Sequence, residues 1–289
     1  MAHSRQIVPI FSGGGTRFPA HIGCLKALED MQLSFASLVG VSGGAIIAAL
    51  YACGFTPEKM RELAESTDFR QFADFSLLRL VRTGGLSTGD KFEQWLDVLM
   101  GGVTFSDLDL QLHILATDLN GGGPVLFNRS CTPDMKVSQA VRYSMSIPLI
   151  FAFKKFDEQL LVDGAILSED ALFEDWQKDG TPSICFRLKS DAKKRPLQRR
   201  SRFPLPAYIM MLVRTFMAAL SREYVHAEYW QHTIVINTGE ISAVDFNASA
   251  QAKSHLFEIG YETTRTFLPR KLISLPDAIL RDPPDLLGR

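Results

Sequence analysis

Residues 40–44 read GVSGG and place one serine between glycines, where an apolar run gives way to an alanine-rich helical pattern. A hydrolytic serine must project from a tight turn, and residues without a Cβ let the strand and the helix approach closely there. A helix that begins near Gly43 would direct free N–H groups at a developing oxyanion. The segment therefore predicts a nucleophile elbow, with Gly40 and Gly44 as its small residues. A structural turn in which Ser42 caps the helix fits the same residues.

A second glycine turn follows the first apolar run of the chain; its residues are Gly13, Gly14 and Gly15. In a parallel sheet the ends of neighbouring strands share an edge, so we expect these amides to face Ser42 and form an oxyanion hole. A dinucleotide or phosphate loop is the weaker interpretation, because Phe18 stands at the third glycine position and no Lys-Ser or Lys-Thr pair follows. Arg17 is either an ordinary exposed arginine or a substrate-binding group that holds a phosphate or neutralises an oxyanion.

A serine hydroxyl needs a base before it can act as a nucleophile. None of the six histidines has a strand-end setting: they are His3, His21, His113, His226, His232 and His255. Asp163 differs, because the apolar residues LLV deliver it directly to the end of an expected strand and Gly164 permits a turn beyond it. We expect Asp163 and Ser42 at the same rim of a sheet. An Asp-Gly pair is also common in purely structural turns, and that interpretation stays open.

Alternating strand and helix patterns surround these residues. Strands are expected at 6–11, 35–41, 111–118, 125–128, 159–162, 183–188 and 233–237, and helices at 20–31, 45–53, 57–66, 90–100 and 138–146. Strands interleaved with helices in this way indicate an α/β layered sheet with parallel character. No internal repeat or domain linker is evident, so one domain is expected.

The composition excludes several classes of protein. The 289 residues are 46% hydrophobic, which is enough for a substantial core, and the formal net charge of -1 gives no overall attraction to nucleic acid. Four cysteines without paired spacing make a metal site unexpected. Neither a signal-peptide pattern nor an apolar run of roughly 18 to 20 residues is present, so we expect a cytoplasmic protein.

Four motifs occur in one order along the chain: GGGTRFPAHIG, GVSGG, AVRYSMSIPLIF and LLVDGA. Together they resemble the patatin-like phospholipase family, and the later IVINTGEISAVDF and LFEIGYETTRTFL are similar to its ending. The resemblance implies a single domain over 5–268, followed by a C-terminal tail at 269–289. It also implies a three-layer α/β fold with a central, mostly parallel sheet flanked by helices. One departure is visible, since the family's loop usually closes with a glycine where this chain has Phe18.

The resemblance further implies a serine-aspartate dyad that cleaves fatty acyl esters of lipids without a cofactor. Ser42 attacks the ester carbonyl, Asp163 of the Asp163-Gly164-Ala165 motif takes its proton, and the glycine loop holds the oxyanion. The apolar residues around Asp163 are expected to exclude water and raise its proton affinity. Two alternatives remain open: a histidine-assisted serine esterase or acyltransferase, and a catalytically silent lipid-binding module.

Two segments raise the question of peripheral membrane contact. The basic segment 187–202 leads into the apolar stretch FPLPAYIMMLVRTFMAAL. Either the basic segment contacts an anionic bilayer and the apolar stretch inserts into it, or the basic segment is a solvated loop that precedes a core helix. Residues 72–80 form either a lid over an acyl pocket or packed surface. Nucleic-acid binding is not indicated, because no stacking aromatics are interleaved with the basic run. The expected partner is therefore a phospholipid or another fatty acyl ester, and the oligomeric state stays unassigned.

Overall fold

The computed structural model describes residues 6–167, 170–191 and 229–274, together with 208, 209, 211–213, 215 and 216. The strands in these ranges are β1 (Val8–Ser12), β2 (Ser37–Val41), β3 (Gly85–Ser87), β4 (Gln111–Asp118), β5 (Gly123–Phe127), β6 (Leu149–Phe151), β7 (Lys154–Phe156), β8 (Gln159–Val162), β9 (Ser183–Lys189) and β10 (Thr233–Asn237). The helices are α1 (Pro19–Asp30), α2 (Gly43–Ala52), α3 (Pro57–Ser66), α4 (Leu77–Thr83), α5 (Asp90–Met100), α6 (Val137–Ser144) and α7 (Ala250–Ser274).

The main sheet has the order β10-β9-β1-β2-β4-β8-β7, and β5 pairs with β4 off this path. The five strands from β10 to β4 are parallel to one another, whereas β5, β7 and β8 form antiparallel pairs. This arrangement confirms the expected α/β fold with a central, mostly parallel sheet. The parallel strands read as continuous apolar runs because both faces of the sheet are covered.

Alternate side chains of the strands enter two separate apolar clusters. Phe11 of β1 and Ile114 of β4 pack on the face covered by α1, α2, α5, α6 and α7. Val8 and Leu115 belong to the opposite face, where Leu172 and Trp176 cover them. Helices therefore flank the sheet on one side, and the segment that follows β8, which includes a single-turn helix at Asp170–Phe173, closes the other side.

Two strands reach the same edge of β4 from opposite directions. Val41, the last residue of β2, pairs with Leu115, and Val162, the last residue of β8, pairs with Thr117. Because β5 pairs with residues 114–118 of β4, it occupies the other edge. The ends of β2 and β8 therefore face each other along β4, because only Ala116 separates Leu115 from Thr117. Because β8 runs antiparallel to β4, the two strand ends approach each other from opposite directions.

Helix α7 packs against α1 through two glycines. A Cβ at Gly23 would lie 2.0 Å from the carbonyl oxygen of Phe257, and one at Gly260 would lie 1.9 Å from that of Ala20. Side chains at these positions would therefore separate the helices. Helix α7 also continues through Pro269 and past residue 268, where the sequence suggests that the domain ends.

Candidate active site

Ser42 occupies a strained turn between β2 and α2. Its backbone angles are φ 55° and ψ -125°, a combination that costs a residue with a Cβ about 1 to 3 kcal/mol. The turn is tight because a Cβ at Gly44 would lie 2.0 Å from the carbonyl oxygen of Phe11, and one at Gly40 would lie 2.6 Å from the Cα of Ala45. The Ser42 side chain makes no capping bond to α2. The geometry therefore matches a nucleophile elbow rather than a serine-capped turn.

The Ser42 hydroxyl donates a hydrogen bond of 2.6 Å to Oδ2 of Asp163, and both side chains are fully buried. The other carboxylate oxygen accepts the Ala165 N–H at 2.9 Å, and the Asp163 N–H donates to the carbonyl of Ser146 at 3.0 Å. Gly164 is required beside it, since a Cβ there would lie 2.1 Å from the carbonyl oxygen of Leu115. The carboxylate is thus held in one orientation toward the hydroxyl.

Burial raises the pKa of Asp163 to about 6, and the hydrogen bonds from Ser42 and Ala165 oppose this shift. Desolvation disfavours the charged carboxylate more than two donors stabilise it. The apolar setting read from the sequence LLVDGA accounts for the direction of the shift. With this pKa the carboxyl group is mostly ionised at neutral pH, and its proton affinity is high enough for general-base chemistry.

No histidine of the described residues is hydrogen bonded to Ser42. Nε2 of His21 lies 3.2 Å from the carbonyl oxygen of Gly13, and Nδ1 of His113 lies 3.1 Å from the side-chain amide of Asn128. Burial lowers the pKa of His21 to about 3 and that of His113 to about 4, so both rings are neutral. His3 and His226 lie outside the described residues. These contacts and their burial give His21 and His113 structural roles.

The glycine loop lies against the start of α2. A Cβ at Gly43 would come within 2.7 Å of the carbonyl oxygen of Gly15 and within 3.0 Å of that of Gly13. All three loop glycines have positive φ, at 71°, 108° and 53°. The Gly13 N–H donates to the carbonyl of Val41 at 3.0 Å, so this amide is not available to a ligand. Within the described part of the chain, the amides of Gly14 and Gly15 donate to no carbonyl.

The side chain of Arg17 is buried, so Arg17 is not the ordinary exposed arginine of one interpretation of the sequence. Nε donates to the carbonyl of Gly14 at 3.2 Å, and a terminal nitrogen donates to the Thr238 hydroxyl at 3.0 Å. Burial lowers the pKa of Arg17 to about 10, so the guanidinium keeps its charge at neutral pH. Arg17 thus stabilises the glycine loop through the Gly14 carbonyl and places a buried positive charge next to it.

Ser144 is a site residue that the sequence analysis did not single out. Its hydroxyl accepts the N–H of Ser42 at 2.8 Å and donates to the carbonyl of Leu115 at 2.6 Å. The elbow is thereby tied to β4 at the position where β2 ends. The only sequence signal is its place in AVRYSMSIPLIF, which resembled the family without assigning a role to this serine.

Arg142 organises the segment that follows Ser144. Its guanidinium donates to the Ser146 hydroxyl at 2.6 Å, to the carbonyl of Ala152 at 2.9 Å and to the carbonyl of Thr88. Because Ser146 also supplies the carbonyl that holds the Asp163 amide, these bonds connect α6 to the backbone of the carboxylate. Both Arg142 and Ser146 are buried.

An apolar pocket adjoins the glycine loop. Gly15 and Thr16 line one part of it, and Ile46 follows Ser42 by one helical turn. The remaining lining is almost entirely apolar and consists of Phe18, Phe69, Phe72, Phe92, Trp95, Met145, Ile147, Phe151, Ala243 and Phe246. A pocket with this lining suits a hydrocarbon chain.

Two kinds of feature are absent from the described residues. No group of three or more histidine, cysteine, aspartate or glutamate side chains is arranged to hold a metal ion in these ranges. The same ranges contain no helix with the length and apolar character needed to cross a bilayer.

Comparison with known proteins identifies the family to which this chain belongs. A model of the patatin-like phospholipase family matches residues 10–173, which include both Ser42 and Asp163. The chain therefore belongs to the patatin-like phospholipase family, and this membership supports a lipid hydrolase activity.

Similar sequences occur in bacteria and in a virus. The uncharacterized protein YqhO of Bacillus subtilis is 31% identical over 284 residues, which cover 90% of this chain and 97% of YqhO. The uncharacterized protein R571 of Acanthamoeba polyphaga mimivirus is 29% identical over 272 residues, which cover 88% of this chain and 91% of R571. Both relatives match over nearly their whole length.

Solved structures of similar fold include VipD from Legionella pneumophila, with a TM-score of 0.67 and 16% identity over 92% of this chain and 67% of VipD. ExoU from the type III secretion system of Pseudomonas aeruginosa, in complex with SpcU, has a TM-score of 0.55 and 20% identity. That match covers 94% of this chain and 53% of ExoU, so the chain spans about half of it. At these identities the similarity concerns the fold.

Proposed function

We propose that this protein hydrolyses fatty acyl esters of lipids, as a phospholipase A or a lysophospholipase, through an acyl-serine intermediate on Ser42. The single observation that carries the proposal is the buried hydrogen bond of 2.6 Å between the Ser42 hydroxyl and Asp163. Family membership supports the substrate class, and the strained elbow supports the role of Ser42 as the nucleophile.

In the first half of the reaction, Asp163 accepts the hydroxyl proton while Oγ of Ser42 attacks the ester carbonyl. The tetrahedral intermediate collapses, the ester C–O bond breaks, and the proton on Asp163 passes to the departing alcohol. In the second half, Asp163 accepts a proton from water, which attacks the acyl-serine. The fatty acid leaves as the proton returns to Oγ, and no cofactor is needed.

Donors for the oxyanion would come from the glycine loop and the start of α2. The amides of Gly14 and Gly15 are the loop's candidates, because the Gly13 amide already donates to Val41. Gly13 then has a structural role, since its hydrogen bond to Val41 holds the loop against the end of β2. The helix dipole of α2 and the buried charge of Arg17 both favour negative charge at this point. Arg17 would therefore act electrostatically and as a brace, without touching the substrate.

The apolar pocket would hold the acyl chain. Its position beside Gly15 and Ile46 supports this role, because a chain lying there leads away from the hydroxyl of Ser42. Phe72, from the segment expected to be either lid or packed surface, is one of the lining residues. Burying each methylene of the chain would contribute about 0.8 kcal/mol to binding.

Contact with an anionic membrane through the basic segment 187–202 stays a proposal from sequence, since residues 192–202 lie outside the described residues. The location in the cytoplasm is likewise an expectation.

The test is mass spectrometry of products released from a mixed lipid extract by the wild type and by Ser42→Ala. We expect free fatty acids and the matching lysolipids or deacylated alcohols with the wild type only. Equal release by the two proteins would contradict the proposal. A catalytically silent lipid-binding module would release nothing in either case and would leave Ser42 unlabelled by a fluorophosphonate.

A further inference from the structure

Helix α4 exposes an apolar face to solvent. Leu77, Leu78 and Val81, here called the α4 face, are 42%, 59% and 84% exposed. At about 100° per residue these three positions fall within one arc of the helix, whereas Leu80 points away from it and packs against a buried cluster that includes Leu86. No residue of α4 is buried. Single exposed aliphatic residues are ordinary, but three on one short helix form a patch.

Aromatic contacts connect the residues just before α4 to the apolar pocket. Phe75, 39% exposed and just before α4, packs edge-to-face on Phe246 with ring centroids 5.5 Å apart. Phe246 in turn lies 6.5 Å from Phe151, and both rings line the pocket. Aromatic contacts therefore lead from Phe75, two residues before α4 begins, to the pocket beside Gly15.

Other exposed apolar side chains border α4. Phe153 is exposed and lies against Gly84, the residue that ends α4, since a Cβ at Gly84 would be 2.8 Å from its ring. Leu149 is exposed on β6 and pairs with Gly85. The cluster under Leu80 also contains Ile209 and Val213. Three residues next to Ile209 and Val213 in the sequence are exposed and lie four positions apart: Tyr208, Leu212 and Phe216.

We propose that the α4 face is the surface by which this protein docks on a lipid bilayer, so that an acyl chain passes from the bilayer along Phe75 into the pocket. The inference rests on the proposed function, because a lipid bilayer is proposed to bind the α4 face on the ground that the pocket would hold an acyl chain. Apolar helical faces of this kind bind at the boundary between headgroups and acyl chains. A protein partner would leave the path to the pocket unused.

The charges around α4 indicate how the docking should respond to lipid charge. Arg79 is paired with Asp74 at 2.9 Å, so Arg82 is the remaining cation of the helix. Lys91 lies only 4.0 Å from the same aspartate. The free energy of docking should therefore come mainly from apolar insertion, and it should depend weakly on anionic lipid and on salt.

The experiment is sedimentation of the full chain with phosphatidylcholine vesicles, with and without phosphatidylglycerol. All proteins carry Ser42→Ala so that the vesicles stay intact. The variants are Val81→Gln and Leu78→Gln with Val81→Gln, because glutamine keeps a good helix propensity without adding charge. The matched control is Val98→Gln: Val98 is 83% exposed and, like Val81, is the third residue from the end of its helix.

We expect Val81→Gln to weaken partitioning about tenfold and the double variant about a hundredfold on both vesicle types, with Val98→Gln unchanged. Equal binding by the Val81 and Val98 variants, or no binding by the parent protein, would overturn the proposal. So would light scattering that shows a dimer dissociated by Val81→Gln, since the face would then bind a second copy. Full hydrolysis of a soluble ester by Ser42→Ala would instead refute the proposed function, independently of the sedimentation result.

Discussion

The hydroxyl of Ser42 lies 2.6 Å from Oδ2 of Asp163, although 121 positions separate the two residues in the sequence. They meet because β2 and β8 run along the same edge of β4 from opposite directions, and their last pairing partners are only two residues apart. Ser144 then ties the elbow to β4, and Ser146 holds the amide of Asp163. The pair is therefore assembled by the core of the sheet.

The rate of ester hydrolysis should depend on the protonation of Asp163. The carboxylate must be ionised to accept the Ser42 proton, and burial raises its pKa to about 6. We expect kcat/KM for a soluble ester to rise with pH through a midpoint near this value and then level off. A rate that is flat from about pH 5 to about pH 8 would mean that another group takes the proton.

Asp163→Asn should stabilise the fold at neutral pH. The pKa of Asp163 is about 6 in the folded protein, against an ordinary value of 3.8, so between these values the folded state binds more protons. The stability of the wild type therefore falls as pH rises through this window, by up to about 3 kcal/mol. Asparagine carries no such cost. Urea unfolding should show the variant as the more stable protein at pH 7, with the difference closing toward the lower pKa; a less stable variant at pH 7 would contradict this.

Ser144→Ala should reduce both stability and turnover. It removes the acceptor of the Ser42 N–H and the donor to the Leu115 carbonyl, which leaves two buried groups unpaired at a cost of about 1 to 3 kcal/mol. Because the elbow relaxes, we expect kcat to fall about tenfold or more while KM changes little.

The control for Ser144 is Ser138→Ala on the same helix. Ser138 is equally buried, and its hydroxyl donates to Asp97 instead of the elbow. This variant should lose stability without losing kcat. A loss of kcat of the same size in both variants would show that Ser144 acts only through general stability.

Trp95→Ala should shift the preferred length of the acyl chain. Trp95 lines the apolar pocket, so its removal makes room for further methylenes, each worth about 0.8 kcal/mol or roughly fourfold in binding. Measured over a series of esters of increasing chain length, the optimum of kcat/KM should move to longer chains. Trp230→Ala, at an exposed tryptophan outside the pocket, is the control. An unchanged optimum in Trp95→Ala would exclude this pocket as the acyl site.

The sequence was sufficient for the long elements of the fold, and it singled out Ser42 and Asp163, which the structure joins by a hydrogen bond. Strands β1, β2, β4, β8, β9 and β10 lie where apolar runs predicted them, because each has at least four residues, which is long enough for an apolar run to be recognised. Strands β3, β6 and β7 have three residues each, too few for a period to emerge, and they were not predicted. The antiparallel direction of β8 was also missed, because direction depends on pairing across the sheet.

The hydrogen bonds that support the site could not be predicted from the sequence either, because they depend on how distant elements pack. Ser144 becomes important only because α6 brings its hydroxyl between Ser42 and Leu115, and nothing local marks it. Arg17 reads as a surface cation beside an anion-binding loop, whereas the fold turns its side chain inward to Gly14 and Thr238. The expected oxyanion role of Gly13 is restricted by its bond to Val41, which forms only when β1 and β2 pair.

The most direct measurement is the rate at which a fluorophosphonate labels Ser42, followed by mass spectrometry in the wild type and in Asp163→Asn. The hydroxyl attacks phosphorus as it would an ester carbonyl, so the rate reports activation by Asp163 without any step of lipid binding. We expect labelling at Ser42 in the wild type and a loss of at least about 10³-fold in Asp163→Asn, with the folded state retained. Labelling of Asp163→Asn at the wild-type rate, or modification of a different serine, would contradict the assignment of the dyad.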